Sequence, residues 1–366
     1  MGTENEEEKY QYWLASVLPL PAWKKRKLTE EGMSARALYY IEETYFRSLS
    51  FLNEKEIKRL LESRKTWRID QEYELMRQKK IRIYTYGNAG YPAKFLPIAS
   101  PPYAVYVKGE LPCEERLSVG IVGARACSPY GTEMAVRLSK ALADHQVQII
   151  SGMARGIDGI AQRTALNNGG TSYGILASGA DICYPKENFD LYLDLIGQGG
   201  VLSEQTPGTK PLSQYFPARN RLISAMSDVL VVIEAREKSG SLITVDMALE
   251  QGKDVYAVPG PVGSELSKGC NRLIRQGAGI VLSEEDLLEE LGIFYKEKMK
   301  NQPENKIKLE NTEKLVYSRL DLQPKHLSCL AEETGMPVPE LINQLIILEM
   351  KGIAREVSKN HYIKMK

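Results

Sequence analysis

Between residues 117 and 282 the sequence repeats one pattern: a short apolar run, a loop marked by glycine or a cation, then a stretch of helical spacing. The apolar runs are Leu117 to Val122, Val147 to Ser151, Tyr173 to Ala177, Gly200 to Ser203, Val229 to Glu234, Asp254 to Val258 and Ile280 to Leu282. Segments of helical periodicity, such as Thr132 to Asp144, Ile157 to Asn167 and Leu242 to Gln251, lie between most of them. Apolar strands that alternate with helices imply βαβ units, a parallel sheet and right-handed crossovers. Because the runs are continuously apolar rather than alternating, both sheet faces are expected to be covered. The fold class expected is α/β, an extended Rossmann-like parallel sheet.

The flanks read differently. Up to about residue 75, Leu49, Leu52, Ile57, Leu60 and Leu61 recur at three- and four-residue intervals with no strand alternation, so a small helical domain is expected over 1–75. A β-rich stretch follows, Ile81 to Tyr86 and Tyr103 to Val107, bracketing Ser100-Pro101-Pro102. The sheet domain is expected over 76–295. Residues 296–311 are polar and almost free of core-forming residues, which predicts a linker. Residues 312–366 show three helical patterns, then Gly352 to Val357, a turn, and His361 to Lys364, the order of a winged helix.

Composition narrows the function. With 43% hydrophobic and 26% charged residues in 366, the chain has an ordinary globular make-up, and its formal net charge of +1 requires any anion-binding surface to be local. The five cysteines are scattered and the three histidines isolated, so no metal is expected and a reducing, cytoplasmic setting is. The acidic start MGTENEEEKY is unlike a signal peptide, and no apolar run is long enough to span a membrane.

In an open parallel sheet, ligands bind at the carboxyl ends of the strands, so the strand-to-helix loops carry the chemistry. The first is Gly120-Ile121-Val122-Gly123-Ala124-Arg125, followed by Ser128-Pro129 as N-cap and N1 of a helix. It reads equally as an anion cradle with Arg125 as clamp or as a tight turn that binds nothing. The second, Ser151 to Asp158, carries Gly152, Arg155 and Gly156, with Asp158 expected to cap the helix. The third adds Tyr184 and Lys186. The fourth, Phe216-Pro217-Ala218-Arg219-Asn220-Arg221, suits phosphate contacts, while Phe216 reads as a hydrophobic staple or as a ring for a base. The fifth, Arg236 to Ser241, sets Lys238 beside Ser239 and Gly240. Cations that hold phosphates, with rings that stack bases, make a groove for a single strand. No P-loop, H-E-x-x-H or full G-x-G-x-x-G occurs, so no cofactor is expected and the protein is not expected to be an enzyme.

The segments VGIVGARACSPYG, SGMARGIDGIAQ, GADICYP, LSEQTPGT, FPARNRLISAMS, VVIEAREKSGSLIT, VYAVPG and GCNRLIRQGA, in this order, strongly resemble the DNA processing protein A (DprA/Smf) family. Residues 90–111 are similar to that family's lead-in, the first 75 residues to its SAM-like helical domain, and 330–354 to its winged-helix tail. The resemblance implies a homodimer that binds and protects single-stranded DNA and loads the RecA recombinase in transformation or recombination. It assigns DNA contacts to Arg125, Lys186, Arg219, Asn220 and Arg221, with Gly123, Gly152, Gly156 and Gly240 shaping the pocket.

Two departures stand out. Gln162 replaces a histidine usual after G-I-D-x-x-A, and Pro19-Leu20-Pro21-Ala22-Trp23-Lys24 stands where the family shows a glycine-rich hairpin. The run Lys24-Lys25-Arg26-Lys27 reads as a solvated helix face, with a helix-hairpin-helix contact to DNA backbone as the alternative that the run keeps open. A phosphoribohydrolase of the LOG type is the rival reading. Against it, the turn Lys238 to Thr244 lacks that group's P-G-G-x-G-T-x-x-E, with Asp246 following and the motif's glutamate missing. A duplex-DNA regulator is the other rival, but Val338 to Met350 contains no Lys or Arg to meet bases, and a protein-interaction or dimer-stabilising role suits it better.

Overall fold

Strand β3 (Ser118–Gly123) shows how the sheet is built: Val119 and Ile121 point to one face and Val122 to the other, and all three are buried. Two-sided burial of this kind is the reason the strand sequences carry no polar alternation. The computed structural model describes residues 2–30, 32–293, 311–321, 325–351 and 353–364. These form two compact units, residues 1–295 and 296–366. The predicted linker lies, but for residue 311, outside the described residues.

In the larger unit, β3 is joined by β1 (Arg82–Thr85), β2 (Ala104–Gly109), β4 (Gln148–Ser151), β5 (Ser172–Leu176), β6 (Gly200–Ser203), β7 (Val229–Ile233), β8 (Asp254–Ala257) and β9 (Gly279–Ile280). The order is β1-β2-β6-β5-β4-β3-β7-β8-β9. The seven strands from β6 to β9 are parallel, while β2 runs antiparallel to β6 and β1 antiparallel to β2. On one face lie α7 (Pro129–Asp144), α8 (Ile157–Asn167) and α13 (Glu284–Glu290). On the other lie α10 (Tyr215–Met226), α11 (Gly240–Glu250) and α12 (Lys268–Arg275). Helix α9 (Phe189–Gln198) packs Leu191, Tyr192 and Leu195 against Leu176 and Val201. Each such fully buried side chain contributes roughly 1.5–3 kcal/mol of transfer free energy.

The N-terminal segment is six helices: α1 (Gly2–Ser16), α2 (Ala22–Glu30), α3 (Ala35–Tyr40), α4 (Glu43–Ser48), α5 (Glu54–Thr66) and α6 (Ile69–Gln78). Trp13, Leu28, Leu38, Phe46 and Leu60 share one buried cluster with Ile83 of β1 and Tyr106 of β2. Helix α5 opens with a capping box, Asn53 and Glu56. The basic run on α2 is not the solvated face expected of it. Lys25 is only 5% exposed and donates to the Ala15 carbonyl. Lys24 pairs with Glu56 at 2.7 Å. Arg26 reaches the Pro101 carbonyl and lies over the Tyr86 ring. Only Lys27 of the four is exposed, because α2 is wedged between the other helices and the 100–102 turn.

The smaller unit holds α14 (Asn311–Arg319), β10 (Lys325–His326), α15 (Leu327–Thr334), α16 (Val338–Met350), β11 (Ala354–Ser358) and β12 (His361–Lys364). Val316, Leu330, Leu341, Leu345 and Leu348 form its core. The winged helix expected from the pattern is present, with one strand more than expected. β10 pairs with β12, and at two residues it is too short to carry any periodic signal. No helix among the described residues is long and apolar enough to cross a membrane.

Burial lowers the Lys25 amine to about 7 from an ordinary 10.5. The native protein therefore binds this proton less readily than the unfolded chain. The penalty is complete below pH 7 and fades as pH rises from there toward 10.5. Melting curves of the protein and of Lys25→Met between about pH 6 and pH 9.5 should diverge, with the wild type gaining stability relative to the variant as pH rises. Curves that stay parallel would show that Lys25 does not carry this titration.

Candidate functional site

The chain fills one side of the sheet from β3 through β6 and then returns to place β7 on the other side of β3. The loops that follow β3 and β7 diverge at this reversal and leave a crevice at their carboxyl ends. A cavity of about 780 Å³ occupies it. Its walls are the 123–126 loop, the 236–241 loop with the start of α11, the first turns of α10, and Tyr184.

Phe216 stands at the centre of this wall. Tyr184 meets it edge-on, with centroids 5.6 Å apart, and the Arg125 and Arg219 guanidinium carbons lie 5.7 and 5.9 Å from its centroid. Such ring and cation contacts are worth about 0.5–1.5 kcal/mol each. Phe216 lies inside the first turn of α10, whose N-cap is Gln214, so it does not occupy the staple position. Around the rings, Arg125, Arg236 and Lys238 are exposed and have no ion-pair partner among the described residues. Ser239 caps α11 by accepting from the Ser241 amide at 3.3 Å, and the helix start adds further N–H donors to the same cavity. The arrangement offers backbone donors and cations for an anion beside rings for a flat apolar group.

The floor is a buried polar network. Arg219 is 7% exposed and donates to the carbonyls of Gly152, at 2.8 Å, and Ile175. Asp158 accepts from the Gly152 amide at 3.1 Å. Burial pushes its carboxyl up, while the Arg219 guanidinium and the Gly152 and Ala154 amides pull it back down. Burial brings Arg219 down to about 10. Asp158 is therefore not the N-cap of α8. Gly156 holds that position with a φ of +70°, which turns the loop so that the carboxylate reaches back to Gly152. Gln162 is fully buried and straps the same loop to β5, accepting from the Met153 amide and donating to the Tyr173 carbonyl, both at 3.1 Å.

Of the residues expected at the site, Arg125, Phe216, Arg219, Asn220, Lys238, Ser239, Gly240 and Gly123 line the cavity. Arg221 does not. It forms a two-pronged pair with Glu204 at 2.8 and 2.9 Å and donates to the Ser100 and Ala218 carbonyls, so it anchors α10. Arg155 pairs with Glu187 outside the cavity, and Lys186 is exposed beside that pair. Gly152 and Gly156 work behind the wall, where a Cβ would collide with the Arg219 guanidinium and with the Ala124 carbonyl. Gly240 has open space where a Cβ would go, so its small size is not what shapes the pocket.

Glu234 was legible only as the end of a strand. It is buried with a φ of +54°, and its carboxylate accepts from the Ser128 amide at 2.8 Å and from the Ser128 hydroxyl. It ties the β3 loop to the end of β7. A carboxylate that ends the apolar run VVIE is the one sequence signal that marks it.

The description DNA recombination-mediator protein A matches residues 82–292, and DprA winged helix domain matches 300–358. Protein Smf of Escherichia coli is 38% identical over 273 residues, 72% of either chain. DNA processing protein DprA of Streptococcus pneumoniae is 42% identical over 201 residues, 55% of this chain and 71% of that one. The X-ray structure of the S. pneumoniae protein superposes with a TM-score of 0.67 at 33% identity, covering 79% of this chain and 99% of that one. DNA processing protein A of Helicobacter pylori, whose structure concerns a unique single-stranded DNA binding mode, superposes with a TM-score of 0.52 at 29% identity, covering 58% and 97%. With the sheet unit and the winged helix both matched, this chain belongs to the DNA recombination-mediator protein A family, DprA/Smf.

Proposed function

We propose that the cavity and its rim hold single-stranded DNA, and that the protein acts as a homodimer that protects such strands and delivers RecA onto them in transformation or recombination. The observation that carries the DNA reading is the ring pair Tyr184–Phe216 set among the unpaired cations Arg125, Arg236 and Lys238 at the carboxyl edge of the sheet. Cations neutralise phosphates without reading sequence, and a ring stacks any base at roughly 1–3 kcal/mol. Arg219 supports Phe216 from beneath, and Asn220, Lys186 and Arg155 extend the polar rim.

A binding role suits this site better than the hydrolysis of a nucleotide. The Asp158 carboxylate is buried and engaged by loop amides, and Asp246 is exposed on α11 away from the cavity wall, so neither is placed as a general base. Helix α16 bears Val338, Ile346 and Met350 exposed and no Lys or Arg, which favours a protein-contacting role for the winged helix.

Fluorescence anisotropy with labelled oligo-dT and with the matching duplex, over a salt series, tests the assignment. The protein should prefer the single strand, and Arg125→Ala should weaken binding by about 10- to 100-fold, the scale of one charged hydrogen-bonding contact, with a shallower salt slope. Phe216→Ala should weaken it by a similar factor with the slope unchanged. Equal affinity for both DNA forms, or variants that bind like wild type, would refute it. Glu234 is proposed to act only through the loop it anchors. Glu234→Gln should weaken the single-strand complex by a few-fold in the wild type and by much less when Arg125→Ala is already present. Full additivity in that double-mutant cycle would assign Glu234 to general stability instead.

A further inference from the structure

The N-terminal helices carry a second ring-and-cation cluster on the surface. Trp23 is 48% exposed, although a side chain of this size is seldom left so open in a helix that packs on its neighbours. Its ring lies 6.4 Å from that of Phe51, on the turn between α4 and α5. Lys27, one helical turn along the same face of α2, places Nζ 4.6 Å from the Phe51 centroid. Leu18 is exposed at the turn before α2, and Arg59 donates to its carbonyl at 3.0 Å. Lys24 also lies over Trp23 but spends its charge on Glu56. Lys27 and Arg59 have no ion-pair partner among the described residues, so the patch is apolar at its centre and cationic at its margin.

This is the chemistry of the cavity repeated: two rings at an angle, with a cation over a ring face and uncompensated positive charge around it. The two sites share one backbone turn. Arg26 of α2 donates to the Pro101 carbonyl, and Arg221 of α10 donates to the adjoining Ser100 carbonyl at 3.1 Å. Arg221 follows directly on Asn220, which lines the cavity. From this we infer that Trp23, Phe51 and Lys27 form a second stacking platform for single-stranded DNA, occupied by the part of the strand that leaves the cavity. The inference rests on the single-strand reading of the cavity. A base stacked on Trp23 takes the place of the water on its exposed face, and Lys27 and Arg59 meet the flanking phosphates.

The full chain is titrated with oligo-dT of two lengths, about 6 and about 30 nucleotides, the shorter too small to reach beyond one binding site. Trp23→Leu keeps apolar bulk against Phe51, and Lys27→Gln keeps the stem over the ring, so neither removes a buried contact. Each should weaken the long strand about five- to tenfold and leave the short one unchanged, whereas Arg125→Ala weakens both. The long strand should also quench tryptophan fluorescence in the wild type, and this quenching should vanish in Trp23→Leu. If Arg125→Ala weakens both lengths while Trp23→Leu binds the long strand as wild type does, the platform is wrong and the cavity reading stands. If Arg125→Ala changes neither length, the cavity reading fails and the platform, as a continuation of that site, is overturned with it. Unchanged DNA affinity with an altered mass by light scattering in Trp23→Leu overturns the inference in favour of a contact between copies of the chain.

Discussion

The β4 and β5 side of the sheet's carboxyl edge hangs on one buried guanidinium. Arg219 reaches from α10 beneath the cavity to the carbonyls of Gly152, after β4, and Ile175, in β5. Removing one partner from a buried ionic network costs about 3–5 kcal/mol, so these loops cannot shift separately without losing it. Gly152 follows from the same fact, since a Cβ there would occupy the space of the guanidinium. Asp158 supplies the opposite charge and binds the Gly152 amide, which closes the network from the α8 side. Phe216 then rests its ring against Arg219 from above, so the face offered to a ligand is positioned before any ligand arrives.

The β3 side of the cavity is fixed by the same device with the charges reversed. Glu234 leaves β7 in a left-handed backbone conformation and spends its carboxylate on the amide and hydroxyl of Ser128. Gly131 is needed in the first turn of α7 because a Cβ would strike that carboxylate. One end of the Arg125 loop is thereby nailed to the strand across the switch point. The loop can present an exposed cation on a backbone that is itself rigid, the condition under which a single charged contact retains most of its value.

The strands were legible because burial on both sheet faces favours apolar side chains on both, as in Val119, Ile121 and Val122. The position of the cavity was legible because open α/β sheets leave a crevice outside the carboxyl ends of the strands at a switch point. What sequence could not supply was the partner of each polar side chain. Arg219 and Arg221 are two residues apart and look alike, yet one lies under the cavity and the other is consumed by Glu204 and the Ser100 carbonyl. Asp158 stands at the start of the helical pattern as an N-cap would, but the cap is Gly156, with its positive φ, and the Asp158 carboxylate reaches back to Gly152. Lys25 sits in a run of four cations, and only tertiary packing says which of them is buried. These differences are set by residues distant in sequence, which no local pattern contains.

The near-zero net charge of the chain, 48 basic against 47 acidic residues, is consistent with this arrangement. Many cations are neutralised by carboxylates at close range: Arg137 by Glu284, Arg163 by Asp194, Arg221 by Glu204, Lys94 by Asp228. The cations left without partners stand out against this background, and several of them gather on the cavity rim. Their field decays within a Debye length of about 8–10 Å at physiological salt, so an anionic ligand is not drawn in from a distance. It has to reach the rim before it feels the charge, and its residence then depends on contacts made there. For such a surface the rings matter as much as the charges. In the proposed single-strand complex, stacking on Phe216 acts only after the phosphates are seated, and it is screened little by salt.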